Sequence, residues 1–284
     1  MRLPQTLAAL WLMLAGSSAA SDTHHAVPID RSANGDIVVA VTIQNHGPFR
    51  FRVDTGSTRS VVSADITARL KLRPIGETRV ITPSGETVRP LARVPELALG
   101  PITRAGVVAM VAPRDQLSRA TAVDGIIGQD VLAPFAYTID YRRKEIVWQS
   151  GPDGSASGTR LALESKGGQV MALLPQEASG QRPLRMIPDS GADSLVFFER
   201  SGVPLPPLTP LETARLQTLS GARPVRRVLI DRLDVGAIRL TDRIGVVVVR
   251  PPHESPLGDG LLPLHLFARV TFNGPGGYLA IEAY

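Results

Sequence analysis

The sequence predicts a mostly-β protein made of two homologous lobes, and three observations carry that reading. Short runs of apolar and β-branched residues recur along the 284 residues with almost no long helical periodicity. A strand leading into Asp, a hydroxyl residue and Gly, Phe51-Arg52-Val53-Asp54-Thr55-Gly56-Ser57, returns 135 residues later as Met186-Ile187-Pro188-Asp189-Ser190-Gly191-Ala192. The surroundings repeat as well. Asp124-Gly125-Ile126-Ile127-Gly128 lies the same distance ahead of Asp259-Gly260-Leu261-Leu262-Pro263, and Ser84-Gly85 and Leu99-Gly100 match Ser220-Gly221 and Val235-Gly236 at an offset of 136. A single Asp-[Ser/Thr]-Gly is an ordinary turn. So many features repeated in the same order indicate a duplicated unit.

Taken in order, the chain opens with a basic Arg2, an apolar stretch from Leu7 to Ala15 and small residues at Ser18-Ala19-Ala20. This pattern predicts a signal peptide over 1–20 and a periplasmic or secreted mature chain, the apolar run being too short to span a bilayer. Residues 21–35, with His24-His25, are polar and read as loose. Asp36–Ile43 is a β-branched strand, Asn45-His46-Gly47 a turn, and Pro48–Val53 the strand that delivers Asp54. Val61-Val62-Ser63 follows, then a short helix from Ala64 to Leu70 capped by Ser63. Hairpins are predicted around Thr82-Pro83-Ser84-Gly85 and, in the second half, around Leu219-Ser220-Gly221. Pro95–Leu99, Val107–Val111 and Ile126-Ile127 complete the strands of an N-terminal lobe over 21–150, which ends in a hairpin of Ala136–Asp140 with Glu145–Trp148. The Gly, Ser and Pro content of 150–158 predicts a linker over 151–158. A C-terminal lobe follows over 159–284, with strands at Leu161–Leu163, Gln169–Leu174, Leu184–Ile187, Val228–Leu233 and Gly245–Val249.

Composition excludes several function classes. The net charge of +5 comes largely from Arg, which makes up 28 of the 31 basic residues. The dense basic runs, Arg142-Arg143-Lys144 and Arg226-Arg227, are flanked by strand-like sequence and read as solvated turn or edge charges. No nucleic-acid partner is predicted, since no aromatic residues interleave a basic stripe. With no cysteine there is no disulfide, no thiol nucleophile and no lipid-attachment thiol. The chain carries no G-x-S-x-G, H-E-x-x-H, P-loop or G-x-G-x-x-G pattern. His253 and His265 have no second ligand at diagnostic spacing, so neither metal nor cofactor is expected.

The repeated unit has a chemical meaning. A carboxylate on a tight loop at the end of a buried strand is held in place, the next hydroxyl can bond across a local two-fold axis, and Gly lets two such loops approach. The order of strand, Asp-[Thr/Ser]-Gly-[Ser/Ala], Gly-containing hairpin and paired apolar residues resembles one lobe of a pepsin-like or retroviral-type aspartic protease. Ile126-Ile127-Gly128-Gln129-Asp130-Val131-Leu132 is similar to the retropepsin-like version, and Asp189-Ser190-Gly191-Ala192-Asp193 to the retroviral active-site loop. The resemblance covers residues 36–282, twice over.

It implies two β-barrel lobes with an active site at their interface and Asp54 and Asp189 as the catalytic pair. Thr55 and Ser190 would cross-brace the loops, Gly56 and Gly191 would allow close approach, and Ser57 would hydrogen-bond beside the Asp54 carboxylate. Ser84, Gly85, Ser220 and Gly221 would form the tips of one or two flaps. Asp130 and Asp193 would form structural ion pairs with Arg. The family pattern is departed from at Gln129, where retroviral enzymes have Arg, in the absence of a flap tyrosine, and at Pro188 and Pro263, which predict a second loop that sits differently. The implied function is an aspartic endopeptidase acting as a monomer on a peptide or protein substrate, with no membrane association after signal removal. The alternatives are a catalytically inactive peptide- or protein-binding module on the same groove, and a homodimer in which each lobe pairs with its counterpart in another chain.

Overall fold

The structure is a computed structural model that describes residues 25–31, 35–118, 122–149, 156–176, 182–200, 205–218, 220–250 and 258–284. The expected signal peptide, His24, Leu219, His253 and most of the expected linker lie outside the described residues. The first half runs β1 (His25–Pro28), β2 (Asp30–Arg31), β3 (Ile37–Ile43), β4 (His46–Val53), β5 (Val61–Ser63), α1 (Ala64–Arg69), β6 (Arg73–Thr82), β7 (Gly85–Leu99), β8 (Ile102–Ala112), β9 (Gly125–Ile127), α2 (Gln129–Leu132), β10 (Ala136–Asp140) and β11 (Glu145–Trp148). The second runs β12 (Thr159–Lys166), β13 (Gln169–Leu174), β14 (Leu184–Asp189), β15 (Leu195–Glu199), β16 (Leu208–Thr218), β17 (Gly221–Val235), β18 (Ile238–Val249), β19 (Gly260–Pro263), β20 (Arg269–Asn273) and β21 (Tyr278–Glu282).

The two halves have the same topology. The first forms a sheet ordered β2-β3-β4-β9-β5-β8-β7-β6 and the second contains β12-β13-β14-β19-β15-β18-β17-β16, strand for strand the same path. In each, the strand that ends at the Asp loop lies parallel to the Gly-apolar-apolar strand, with Phe51 opposite Gly125 and Met186 opposite Gly260. The halves join through six strands, β1-β11-β10-β20-β21-β12, whose centre is the antiparallel pair Thr138 and Thr271. Their hydroxyls bond at 2.8 Å, Gln149 Nε2 also donates to Thr138 Oγ1 at 3.3 Å, and the Tyr137 and Phe272 rings stack at 5.0 Å beside them.

Residues 25–31 are not loose. Val27 and Ile29, spaced by two within a polar stretch, are buried, and His25–Pro28 pairs with β11 as the outer strand of the joining sheet. The first hairpin also turns one residue earlier than expected, with positive φ at Gln44 (48°) and Asn45 (62°), so that His46 already belongs to β4. Helix α1 begins where predicted, with Ser63 Oγ accepting from Ile66 N at 3.2 Å.

Strand alternation explains the core. Leu195 and Phe197 face a core cluster shared by both lobes, while Val196 and Phe198 face a separate cluster under β17 and β18. Val62 and Val61 divide in the same way in the first lobe. These strands are apolar on both faces because each lobe has structure on both sides of them.

Thr271→Val is expected to lower stability by about 1 kcal/mol, since Thr138 loses one partner in a buried setting. The Thr138→Val/Thr271→Val double variant should lose less than the sum of the two single changes, read as urea midpoints.

Candidate active site

The Asp54 loop begins where β4 leaves its parallel partner, and Asp54 N donates to Ile127 O at 2.9 Å. Its counterpart begins at Asp189, the last residue of β14. Four hydrogen bonds tie the loops together across the pseudo-two-fold axis. Thr55 Oγ1 donates to Pro188 O at 2.8 Å and accepts from Ser190 N at 3.0 Å; Ser190 Oγ donates to Val53 O at 2.8 Å and accepts from Thr55 N at 3.1 Å. Both hydroxyl residues are buried.

This reciprocal brace brings Asp54 and Asp189 together. A methyl group at Gly191 would sit 2.9 Å from Asp54 Oδ2 and 3.4 Å from Asp189 Oδ1, and one at Gly56 would sit 2.5 Å from Asp189 Cγ. Only Gly leaves room for the opposing carboxylate at these two positions. Asp189 Oδ1 accepts from Gly191 N at 2.8 Å. Burial, and then the neighbouring Asp54 charge, push the Asp189 carboxyl up to about 7.

With Pro188 and Pro263 in place, the second loop still joins the first in the reciprocal brace. Pro188 loses only its donor, and the brace uses its carbonyl. At the other proline the whole local network differs between the halves. In the first lobe Ser60 Oγ accepts from Gly128 N at 3.0 Å and donates to Asp130 Oδ1 at 2.7 Å. The register places Leu195, Pro263 and His265 at the corresponding positions, so Pro263 lacks a donor exactly where no acceptor hydroxyl waits for one.

Ser57 does not bond the Asp54 carboxylate. Its Oγ donates to Arg59 O at 2.8 Å and its N donates to Asp54 O at 3.1 Å, which holds the loop rather than the acid. Asp130 and Asp193 make no ion pair among the described residues. Asp130 accepts from Ser60 N and Oγ, with burial pushing its carboxyl up, and Asp193 accepts from Ser194 Oγ. The arginine pairs fall instead on Asp124, held by Arg114 at 2.7 Å, and on the buried Asp259, held by Arg182 at 2.6 Å and Arg200 at 2.8 Å. These two acids also accept from Arg50 N and Arg185 N, closing equivalent loops. Gln129 Nε2 donates to Thr55 O at 2.8 Å, an uncharged tie onto the active loop.

Both predicted hairpins form, with Thr82 facing Gly85 and Thr218 facing Gly221. Their tips meet. Thr82 Oγ1 bonds Thr218 Oγ1 at 2.7 Å and Ser84 Oγ bonds Ser220 Oγ at 2.9 Å; Thr82 also bonds Ser220, and Ser84 bonds Thr218. Ser84 Oγ further donates to Gly221 O at 2.9 Å. The axis therefore passes through hydroxyl pairs at the joining sheet, at the loops and at the hairpin tips.

A sequence profile of the family described as "Aspartyl protease" matches this chain twice, over residues 39–131 and 175–265. The chain belongs to that family. The two matches fall on the two lobes, so the duplication seen in the strands is a duplication of the aspartyl protease unit. The crystal structure of basic 7S globulin from soybean superposes with a TM-score of 0.50 at 9% identity, covering 90% of this chain and 94% of that one, which shows a common two-lobed fold. No curated protein matches in sequence.

Reasoning from the sequence alone missed Arg52, Thr82, Thr218 and Arg250. Arg52 Nη2 lies 2.9 Å from Asp54 Oδ2, and its Nη1 lies 3.6 Å from Asp36 Oδ1. The signal for it was the second Arg of the Arg50-Phe51-Arg52-Val53 alternation, two residues before the aspartyl protease motif and on the same face, with Ile187 at the matching position. Arg250 is buried, its Nη1 donating to Thr82 O at 3.4 Å near the first hairpin tip.

Ser190→Ala takes the acceptor from Thr55 N and one of the donors from Val53 O, and a stability loss of about 1–3 kcal/mol is expected in denaturant unfolding. The raised Asp189 carboxyl also gives a pH signature. In the unfolded chain the group titrates near its ordinary value of about 3.9, so between there and about 7 the folded state binds more protons. The stabilisation it provides is complete below the unfolded value and is lost as pH rises through the folded one. Asp189→Asn should therefore gain stability relative to the wild type over that interval, measured by urea unfolding at stepped pH.

Proposed function

We propose that the chain is an aspartic endopeptidase, and the observation that carries this is the convergence of Asp54 and Asp189 on one point through the four-bond brace. Two carboxylates this close do not ionise independently, so the pair holds one proton over a broad pH range. The ionised member takes a proton from a hydrolytic water, and the protonated member donates to the scissile carbonyl. Water attack then gives a tetrahedral diol, and collapse returns a proton to the leaving amine. Thr55, Ser190 and Gln129 hold the loops still while charge moves. Gly56 and Gly191 keep the carboxylates in reach of each other.

The two hairpins supply the substrate side of this reading. Their main chains offer strand edges to an extended peptide, and tips that meet at Thr82, Ser84, Thr218 and Ser220 form a cover that must part for the substrate to enter. The aspartyl protease unit occurs twice within this one chain, which supports action as a monomer over pairing of lobes between chains. The N-terminal pattern at 1–20 supports export to the periplasm or the medium before the protein acts.

One observation favours the second reading, a peptide-binding module without turnover: the Arg52 guanidinium engages one oxygen of the Asp54 carboxylate. The two readings part in one assay. Mature protein should cleave a diverse peptide library between pH 3 and 7, while Asp54→Asn and Asp189→Asn, shown to be folded, should each lose at least about 100-fold in kcat/KM. Peptide retained without cleavage by wild type and variants alike would establish the binding module instead.

A further inference from the structure

Arg52 lies in β4 and Asp54 directly follows the end of that strand, and the Nη2 to Oδ2 contact is 2.9 Å. The guanidinium is also fixed from behind by Asp36, whose carboxylate is buried and accepts from Ser118 Oγ at 3.0 Å. The Arg52 and Asp54 side chains are only 17% and 16% exposed, so solvent screens their attraction weakly. The other lobe offers nothing comparable. Ile187 stands at the position of Arg52, and Asp189 makes no ion pair among the described residues. Two carboxylates related by a pseudo-two-fold axis thus sit in unlike electrostatic surroundings.

We propose that Arg52 is a positioning residue of the dyad: anchored by Asp36, it holds the Asp54 carboxylate ionised and leaves the shared proton on Asp189. This rests on the endopeptidase reading for its catalytic meaning, with Asp54 the fixed base toward water and Asp189 the fixed acid toward the carbonyl. Among the described residues the charged and titratable groups around the pair include Arg52 and Asp36 from the first lobe, the buried Tyr141 phenol of the joining sheet, which stands by the Asp189 charge, and His265, which meets the Asp189 loop at Ala192. Burial pushes the phenol up, so it stays neutral, and Arg31 lies over its ring at 5.3 Å. Arg52 is the group among these that separates one aspartate from the other by direct contact. The direction at Asp189 agrees: burial and the Asp54 charge raise it, and Arg52, further away, offsets only part of that rise.

A consequence follows for pH. The competent state has one proton on the pair, so its acid limit is set by protonation of Asp54. Arg52 thereby extends activity toward acid.

The test is a titration of the mature protein carrying ¹³C-labelled Asp carboxyls, followed by NMR, beside the pH profile of kcat/KM, for wild type, Arg52→Gln, Arg52→Lys and Asp36→Asn, each checked by its melting temperature. In wild type, Asp54 should ionise before Asp189. In Arg52→Gln the Asp54 midpoint and the acid limb should rise by about one unit, a roughly tenfold loss of kcat/KM on that limb, with Arg52→Lys restoring most of the shift. Asp36→Asn should leave Asp54 at or below its wild-type midpoint. An unmoved Asp54 midpoint in a folded Arg52→Gln protein overturns the proposal, as does a uniform loss of rate with both limbs fixed, which would mark a merely structural role. A gain in kcat/KM at every pH on removing Arg52 also overturns it, because the guanidinium would then be obstructing the site. If wild type cleaves nothing while the midpoint still moves, the electrostatic assignment stands and the endopeptidase reading falls.

Discussion

The reciprocal brace between Thr55 and Ser190 is the contact on which the rest of the structure depends. Each hydroxyl donates to a carbonyl of the opposite strand and accepts the amide of the opposite loop, so the two hydroxyls and the two amides are satisfied together only when the lobes are in register. A shift of one lobe would leave those groups unpaired in a dry interior. The same constraint fixes the carboxylates: each follows its strand directly into the braced residue, and a Gly after it leaves space for the other. The joining sheet and the hairpin tips repeat the device, with Thr138 facing Thr271 and Thr82 and Ser84 facing Thr218 and Ser220.

Duplication supplies the symmetry, and divergence has worked within it by exchanging whole sets of partners. Ser60, Gly128 and Asp130 form one hydrogen-bonded set, and Leu195, Pro263 and His265 occupy the matching places without needing it. The Gly128 donor and the Ser60 acceptor are lost together in that exchange, which is why a proline can stand in the second loop. Asp124 and Asp259 show the opposite case, where the same acid closes the same loop in both halves with different arginines. The asymmetry at Arg52 and Ile187 is of another kind, because it changes the charge beside a dyad member rather than the packing around it.

Much of the fold was legible because it was written twice. Period-two apolar strands, matched offsets and turn residues gave the two lobes, the helix with its Ser63 cap and both hairpins. The brace residues were legible because a hydroxyl between Asp and Gly has few other uses in two copies. What escaped were features that depend on distance in space. Val27 and Ile29 looked like a polar leader because two apolar residues carry little signal until a partner edge at β11 is known. Ser57 turned toward Arg59 O, a choice of rotamer that no sequence pattern encodes. Ion pairs were expected on Asp130 and Asp193, yet arginines reach Asp124 and Asp259, because long side chains choose among acids according to the fold around them.

The central claim, that Asp54 and Asp189 act as one unit on a peptide held between the lobes, is tested most directly by a crystal structure of the mature protein with a bound peptide mimic whose scissile carbonyl is replaced by a secondary alcohol. The account predicts one molecule per chain, its hydroxyl within hydrogen-bond distance of both carboxylates and its backbone paired with the edges of both hairpins. A mimic bound elsewhere, or one touching a single carboxylate while Arg52 keeps the other, would contradict it.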